Sequence, residues 1–205
     1  MTNGSIVYFE RVGRSNTVET VRLAHKRALE LGIRDIVVAS SFGRTALECA
    51  KEFDELEYNL VAVSLSEGYK EKGWTMSESQ KAHLTAKSIK VLTGTHALGG
   101  DVGAAFAERF GAETITDIIC QTLYRFGEGM KVCVEIVLMA ADAGLIPGNK
   151  EVIAIAGTGG GADTAIVVKS SYTRKFHEMK ILEIIAKPRD VNLKKIEKEG
   201  KMFRK

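Results

Sequence analysis

Apolar positions along the chain alternate between the period of a helix and the unbroken runs of buried strands. Val21, Ala24, Ala28 and Leu31 recur at helical spacing, and Asn16 with Glu19 predicts a capping box at the start of that helix, which Gly32 would end. Residues 36–40 form a continuous apolar run, as expected for a strand covered on both faces. A second helix is predicted over 44–53 and a second buried strand over 60–65, giving a parallel βαβ rhythm.

The alternation continues past the polar loop 66–75. Ser77 and Gln80 offer another capping box for a helix reaching about 88, and residues 89–93 read as a third strand. A turn-rich stretch, 94–101, precedes a short helix over 102–110 and two longer helical patterns over 115–126 and 130–143. The last of these is apolar around most of its circumference and should be largely buried. Residues 151–156 and 165–169 read as strands separated only by a glycine loop, too short for a helical crossover, so they should be antiparallel neighbours. Residues 179–185 would add an edge strand.

These elements predict a three-layer α/β sandwich with a mixed, mostly parallel sheet ending in an antiparallel hairpin. A length of 205 residues suits one domain over 1–205, with a helical insertion over about 95–146 and a basic tail over about 187–205. That tail reads as a solvated terminal helix or as a segment that meets an anionic partner.

Charge changes the picture mainly by exclusion. With 29 basic and 26 acidic residues the formal charge is only +3, too balanced to predict nucleic-acid binding. Cys49, Cys120 and Cys133 lie in apolar helical runs without paired or metal-type spacing, which predicts reduced core thiols and no structural metal. No basic and apolar leader opens the sequence and no run has membrane-spanning length, so a cytoplasmic protein with no membrane partner is expected. Self-association into a homo-oligomer is left open.

Two loops carry the candidate chemistry. Ser40-Ser41-Phe42-Gly43-Arg44-Thr45 joins a strand to a helix, at the sheet edge where open α/β proteins bind ligands. Unpaired N–H groups at a helix start, with three hydroxyls, a glycine and an arginine there, suit a phosphate monoester. Capping by Ser41 or Thr45 would explain one hydroxyl but not the cluster.

The second loop, Gly157-Thr158-Gly159-Gly160-Gly161-Ala162-Asp163-Thr164, can be read as a close-approach ligand loop or as a flexible hairpin. Its letters satisfy the dinucleotide fingerprint, but a β-branched strand follows where that fingerprint needs a helix, and no lysine follows the glycines as a Walker motif requires.

Thr95 and His96 sit after a predicted parallel strand, and His96 could serve as acid, base or donor, although a lone loop histidine is more often structural. Tyr69 or Trp74 would either stack on a planar ring or form a solvated aromatic lid.

With the loops placed, the chain resembles the carboxyl-terminal α/β domain of pyruvate kinase, standing alone without the catalytic barrel. The resemblance runs over most of 17–169: the helix at 18–31, the turn Gly43-Arg44-Thr45-Ala46, and the block 140–157 leading into the glycine loop. In pyruvate kinases that bind a sugar bisphosphate activator, the segment matching 40–45 wraps a phosphate and the glycine loop closes over the activator. No motif for phosphoenolpyruvate, ADP or metal is present, so pyruvate kinase activity is not implied. Phe42 replaces a small hydroxyl residue of the family pattern, and the segment 95–129 exceeds what the kinase domain needs.

The chain is similar to a small stand-alone archaeal group of this fold, which implies flavin mononucleotide (FMN) as the ligand and, if the protein is an enzyme, flavin redox chemistry as the reaction class. Ser41, Gly43, Arg44 and Thr45 would then hold the phosphate, with Ser40 and Phe42 also among the cofactor-binding residues. Thr95, His96, Gly157, Thr158, Gly159, Gly160, Gly161 and Asp163 would approach the ribityl chain or ring, with His96 the catalytic candidate. The alternatives are a non-catalytic module sensing a sugar phosphate or bisphosphate, and a structural subunit with a vestigial pocket.

Overall fold

The computed structural model describes residues 4–190. Among them, seven strands form one sheet: β1 (Val7–Phe9), β2 (Asp35–Ala39), β3 (Asn59–Ser64), β4 (Lys90–Thr93), β5 (Glu151–Ala156), β6 (Thr164–Lys169) and β7 (Lys180–Pro188). Their order is β1-β7-β6-β5-β2-β3-β4. β5, β2, β3 and β4 are mutually parallel, and β1 is parallel to β7. β6 alone runs against its neighbours β5 and β7. The glycine loop is the cause, because its few residues can turn the chain back but cannot cross the sheet.

Six α-helices complete the described chain: α1 (Thr17–Leu31), α2 (Arg44–Cys49), α3 (Glu78–Thr85), α4 (Val102–Phe110), α5 (Ile115–Tyr124) and α6 (Glu128–Asp142). Alternate residues of the buried strands feed two cores, as the period of two requires. Ile36 and Val38 pack with Val21, Ala24 and Ala28 of α1 and with Leu84 of α3, while Val37, Val61 and Ala154 pack with Val137 and Ala140 of α6. Helix α6 therefore forms the second covering layer of the sheet, with α5 packed against it.

Several local expectations are corrected. Asn16 makes no capping box: it sits in near-helical backbone at the end of a 3₁₀ turn, Arg14–Asn16, and its amide donates to the Arg11 carbonyl at 2.6 Å. The strand expected at the edge over 179–185 is β7, which lies between β6 and β1. The true edge is β1, whose three half-exposed residues carry no readable pattern. Helix α2 is shorter than expected and stops at Cys49. By contrast, the Ser77–Gln80 capping box forms as expected, with both reciprocal bonds in place. The start of the expected tail belongs to the end of β7, and residues 191–205 lie outside the described residues.

Candidate functional site

The carboxyl ends of β2, β3, β4 and β5 open into one cleft of about 830 Å³. Open parallel sheets leave such a crevice where successive connections depart to opposite faces. Here α1 and α2 stand on one side of the sheet edge and α6 on the other.

The turn after β2 divides its labour. Ser40 is buried, its N–H donates to the Val63 carbonyl at 2.9 Å, and its Oγ accepts from the Ala46 N–H at 3.2 Å. Ser40, rather than Ser41 or Thr45, thus satisfies a first-turn N–H of the short helix α2, whose N-cap position is Gly43. Ser41, Arg44 and Thr45 line the cleft, with Phe42 on its rim. Gly43 faces away, against the Leu84 side chain. Arg14, from the 3₁₀ turn before α1, reaches the same cleft. Among the described residues, neither the Arg14 nor the Arg44 guanidinium has an ion-pair or hydrogen-bond partner.

The glycine loop is braced. Asp163 is fully buried; its Oδ2 accepts from the Gly13 N–H at 2.7 Å and the Thr158 N–H at 3.2 Å, while Oδ1 accepts from the Thr164 hydroxyl at 2.8 Å. Thr17 Oγ1 donates to the Arg14 carbonyl at 2.8 Å and accepts from the Ala162 N–H at 3.0 Å. A Cβ on Gly161 would come within 2.5 Å of Thr17 Oγ1 and 2.6 Å of Arg14 Cα. The glycines therefore let the loop lie directly on the segment that carries Arg14. Gly157, Gly159, Gly160 and Gly161 line the cleft. Asp163 holds the loop from behind, Thr158 contributes its N–H to that brace, and Thr95 is exposed away from the cleft wall.

Three rings form a row along the cleft. Trp74 stacks on Tyr69 with centroids 5.9 Å apart, and Tyr69 on His96 at 5.6 Å. The Lys72 ammonium lies 5.5 Å from the Tyr69 centroid and 5.4 Å from that of Trp74. Burial pushes the His96 pKa below its ordinary value and Lys131 adds to this, with Glu135 opposing. Above neutral pH its imidazole is uncharged, fit to donate or accept a hydrogen bond.

Helix α6 supplies groups that sequence reasoning missed. Lys131 and Glu135 are both buried and paired at 2.6 Å, and Glu135 Oε1 also accepts from the Leu98 N–H at 3.0 Å. Burial works against the Lys131 charge, but Glu135, helped by Tyr124 and Cys120, outweighs it and raises the pKa above that of an ordinary lysine. Cys120 donates its S–H to the Leu98 carbonyl at 3.0 Å, and burial pushes its thiol up to about 11. The available signal was two opposite charges four residues apart inside an otherwise apolar helix. Arg14 left no such signal, because nothing in sequence links it to a loop some 145 residues away.

A family model described as "Pyruvate kinase, alpha/beta domain" matches residues 19–168. The chain belongs to the pyruvate kinase alpha/beta domain family. Both loops that the sequence singled out, and the Lys131–Glu135 pair, lie within the matched span, whereas Arg14 precedes it. Among the described residues, no helix is long and apolar enough to cross a membrane.

Proposed function

We propose that the cleft binds flavin mononucleotide. The observation that carries this reading is the joining, in one cleft, of two unpartnered guanidinium groups, Arg14 and Arg44, with the stacked row Trp74–Tyr69–His96. A phosphate monoester takes charge-assisted hydrogen bonds from arginine, hydroxyls and backbone N–H groups, here Arg14, Arg44, Ser41, Thr45 and the loop 157–161. A flat ring system takes an aromatic wall. The residues present fit both halves of the ligand. Bound flavin would supply electron-transfer chemistry, and the protein's part is to bind, orient and shield it.

A sugar bisphosphate is the second reading, favoured by the presence of two free arginines rather than one. The aromatic row gives it no partner.

The visible absorbance spectrum of the purified protein, recorded after adding FMN and removing the free excess, separates the readings. Retained flavin bands are expected. A colourless protein overturns the flavin reading, and a thermal shift with fructose 1,6-bisphosphate would then support the second, since a ligand that binds only the folded state raises its stability.

A further inference from the structure

The two walls of the cleft differ in charge. Arg14 and Arg44, on the α1–α2 side, have no counter-ion among the described residues, and the one carboxylate of that side in the lining, Glu48, is paired with Lys51 at 2.6 Å. The wall built by α4, α5 and α6 carries Glu108, Asp117, Glu128 and Glu135 against Lys131. A phosphate on that wall would meet more carboxylates than cations, so an anion is favoured on the arginine side and disfavoured here.

Lys131 and Glu135 are nevertheless costly to bury, and they face the cleft. The ammonium has three N–H donors and spends one on Glu135 Oε2 at 2.6 Å. The Glu135 carboxylate accepts from Lys131 and from the Leu98 N–H, and an ionised carboxylate has about four acceptor positions. The pair thus presents a spare donor beside a spare acceptor on a wall whose cation is already neutralised. A neutral ring edge with a carbonyl oxygen next to an N–H matches it: the carbonyl accepts from Lys131 while the N–H donates to Glu135.

We propose that Lys131 and Glu135 form a recognition site for the polar edge of the ligand's ring, selecting heterocycles that carry a cyclic imide. The inference deepens the flavin reading and rests on it, since the flavin ring bears such an edge, but the recognition chemistry extends to any imide heterocycle with a phosphate at its other end. The buried pair is a binding device that sets which ring enters, while the arginines hold the anion.

The test compares FMN with its N3-methyl analogue, which lacks only the imide N–H, by calorimetric titration of the full chain. Wild-type protein is expected to bind FMN about tenfold or more tightly than the methyl analogue, the value of one charge-assisted hydrogen bond. Lys131→Met alone strands a buried carboxylate and endangers the fold, so the informative variant is Lys131→Met with Glu135→Leu, which removes both charges together. With its thermal midpoint retained, that double variant should bind both flavins equally and more weakly than wild type binds FMN. Equal affinity of wild type for the two flavins, or undiminished discrimination in the double variant, overturns the inference. Should wild-type protein bind no flavin, the flavin reading fails by itself, and the same comparison with UMP and N3-methyl-UMP decides the imide site: preference for UMP sustains it, and no preference or no binding overturns it.

Discussion

The Gly13 N–H donates to the Asp163 carboxylate at 2.7 Å, across 150 positions of sequence. This bond joins the segment that delivers Arg14 to the loop that lines the cleft, so the two walls of the anion site are set by one buried side chain. Asp163→Ala should cost about 2 to 3 kcal/mol of stability, because it strands two backbone N–H groups that a carboxylate now serves. Urea denaturation measures this, and a midpoint equal to that of wild type would show the brace to be dispensable. Ligand affinity should fall with it, since Gly13 and Thr158 lose their common anchor.

Arg14→Ala and Arg44→Ala should each weaken FMN binding by about tenfold or more while leaving riboflavin binding, which involves no phosphate, unchanged. Both side chains are exposed and make no internal ion pair among the described residues, so the melting temperature without ligand should stay near that of wild type. Parallel titrations with the two flavins check this. An equal loss for both would mean that the arginines act on the ring or on the fold.

The glycines of the loop are not equivalent. Gly159 has nothing within 4 Å of an added Cβ, and Gly159→Ala should cost only about 1 to 2 kcal/mol, from its φ of +66°. Gly161→Ala adds to a similar φ of +72° a collision with Thr17 Oγ1 and Arg14 Cα. It should destabilise more than Gly159→Ala and release the Arg14 segment, visible as faster amide exchange at Gly13. Equal effects of the two substitutions would contradict the close docking of the loop.

His96 should make stability depend on mildly acidic pH. Its folded pKa lies below the unfolded value of about 6.5, chiefly through burial, so on acidification the unfolded chain takes up a proton that the folded chain resists. The stability is fully present above about pH 6.5 and is lost as pH falls from there through the folded pKa. His96→Phe keeps a ring in the stack but cannot titrate. Thermal midpoints between pH 7.5 and 5.5 should decline less steeply in this variant than in wild type; parallel profiles would assign the dependence to other groups.

The order of elements was legible because its causes are local. The β-branched run at β2, the Ser77–Gln80 box and the short glycine connection each have one physical outcome, and the structure has them. Ser41, Arg44, Thr45, His96 and four glycines of the second loop were placed on the cleft for the same reason, since all follow strands that end on one sheet edge. What stayed hidden was non-local. Asp163 reads in sequence as a loop carboxylate available to a ligand, yet its oxygens are taken by Gly13, Thr158 and Thr164. Gly43 reads as part of a phosphate turn, but the direction it faces is set by Leu84 of α3. Arg14 enters the site through long-range contacts, the Gly13–Asp163 and Thr17–Ala162 bonds and the pairing of β1 with β7, which no window of neighbouring residues encodes.

That pairing has a consequence for synthesis. Val7, Tyr8 and Phe9 find their partners only at Ala186, Lys187 and Pro188, close to the last described residue. Pairings between distant positions form late because the intervening chain must first be closed into a loop. While the chain emerges from the ribosome, the β2–α2 turn can be made early, but β1 has no neighbour in the sheet until residues 186–188 are out. A chain interrupted before residue 186 could hold Arg44 in place while the Arg14 segment is tied down only through α1 and the Gly13–Asp163 and Thr17–Ala162 bonds, so the anchoring of the second arginine is completed by the β1–β7 pairing.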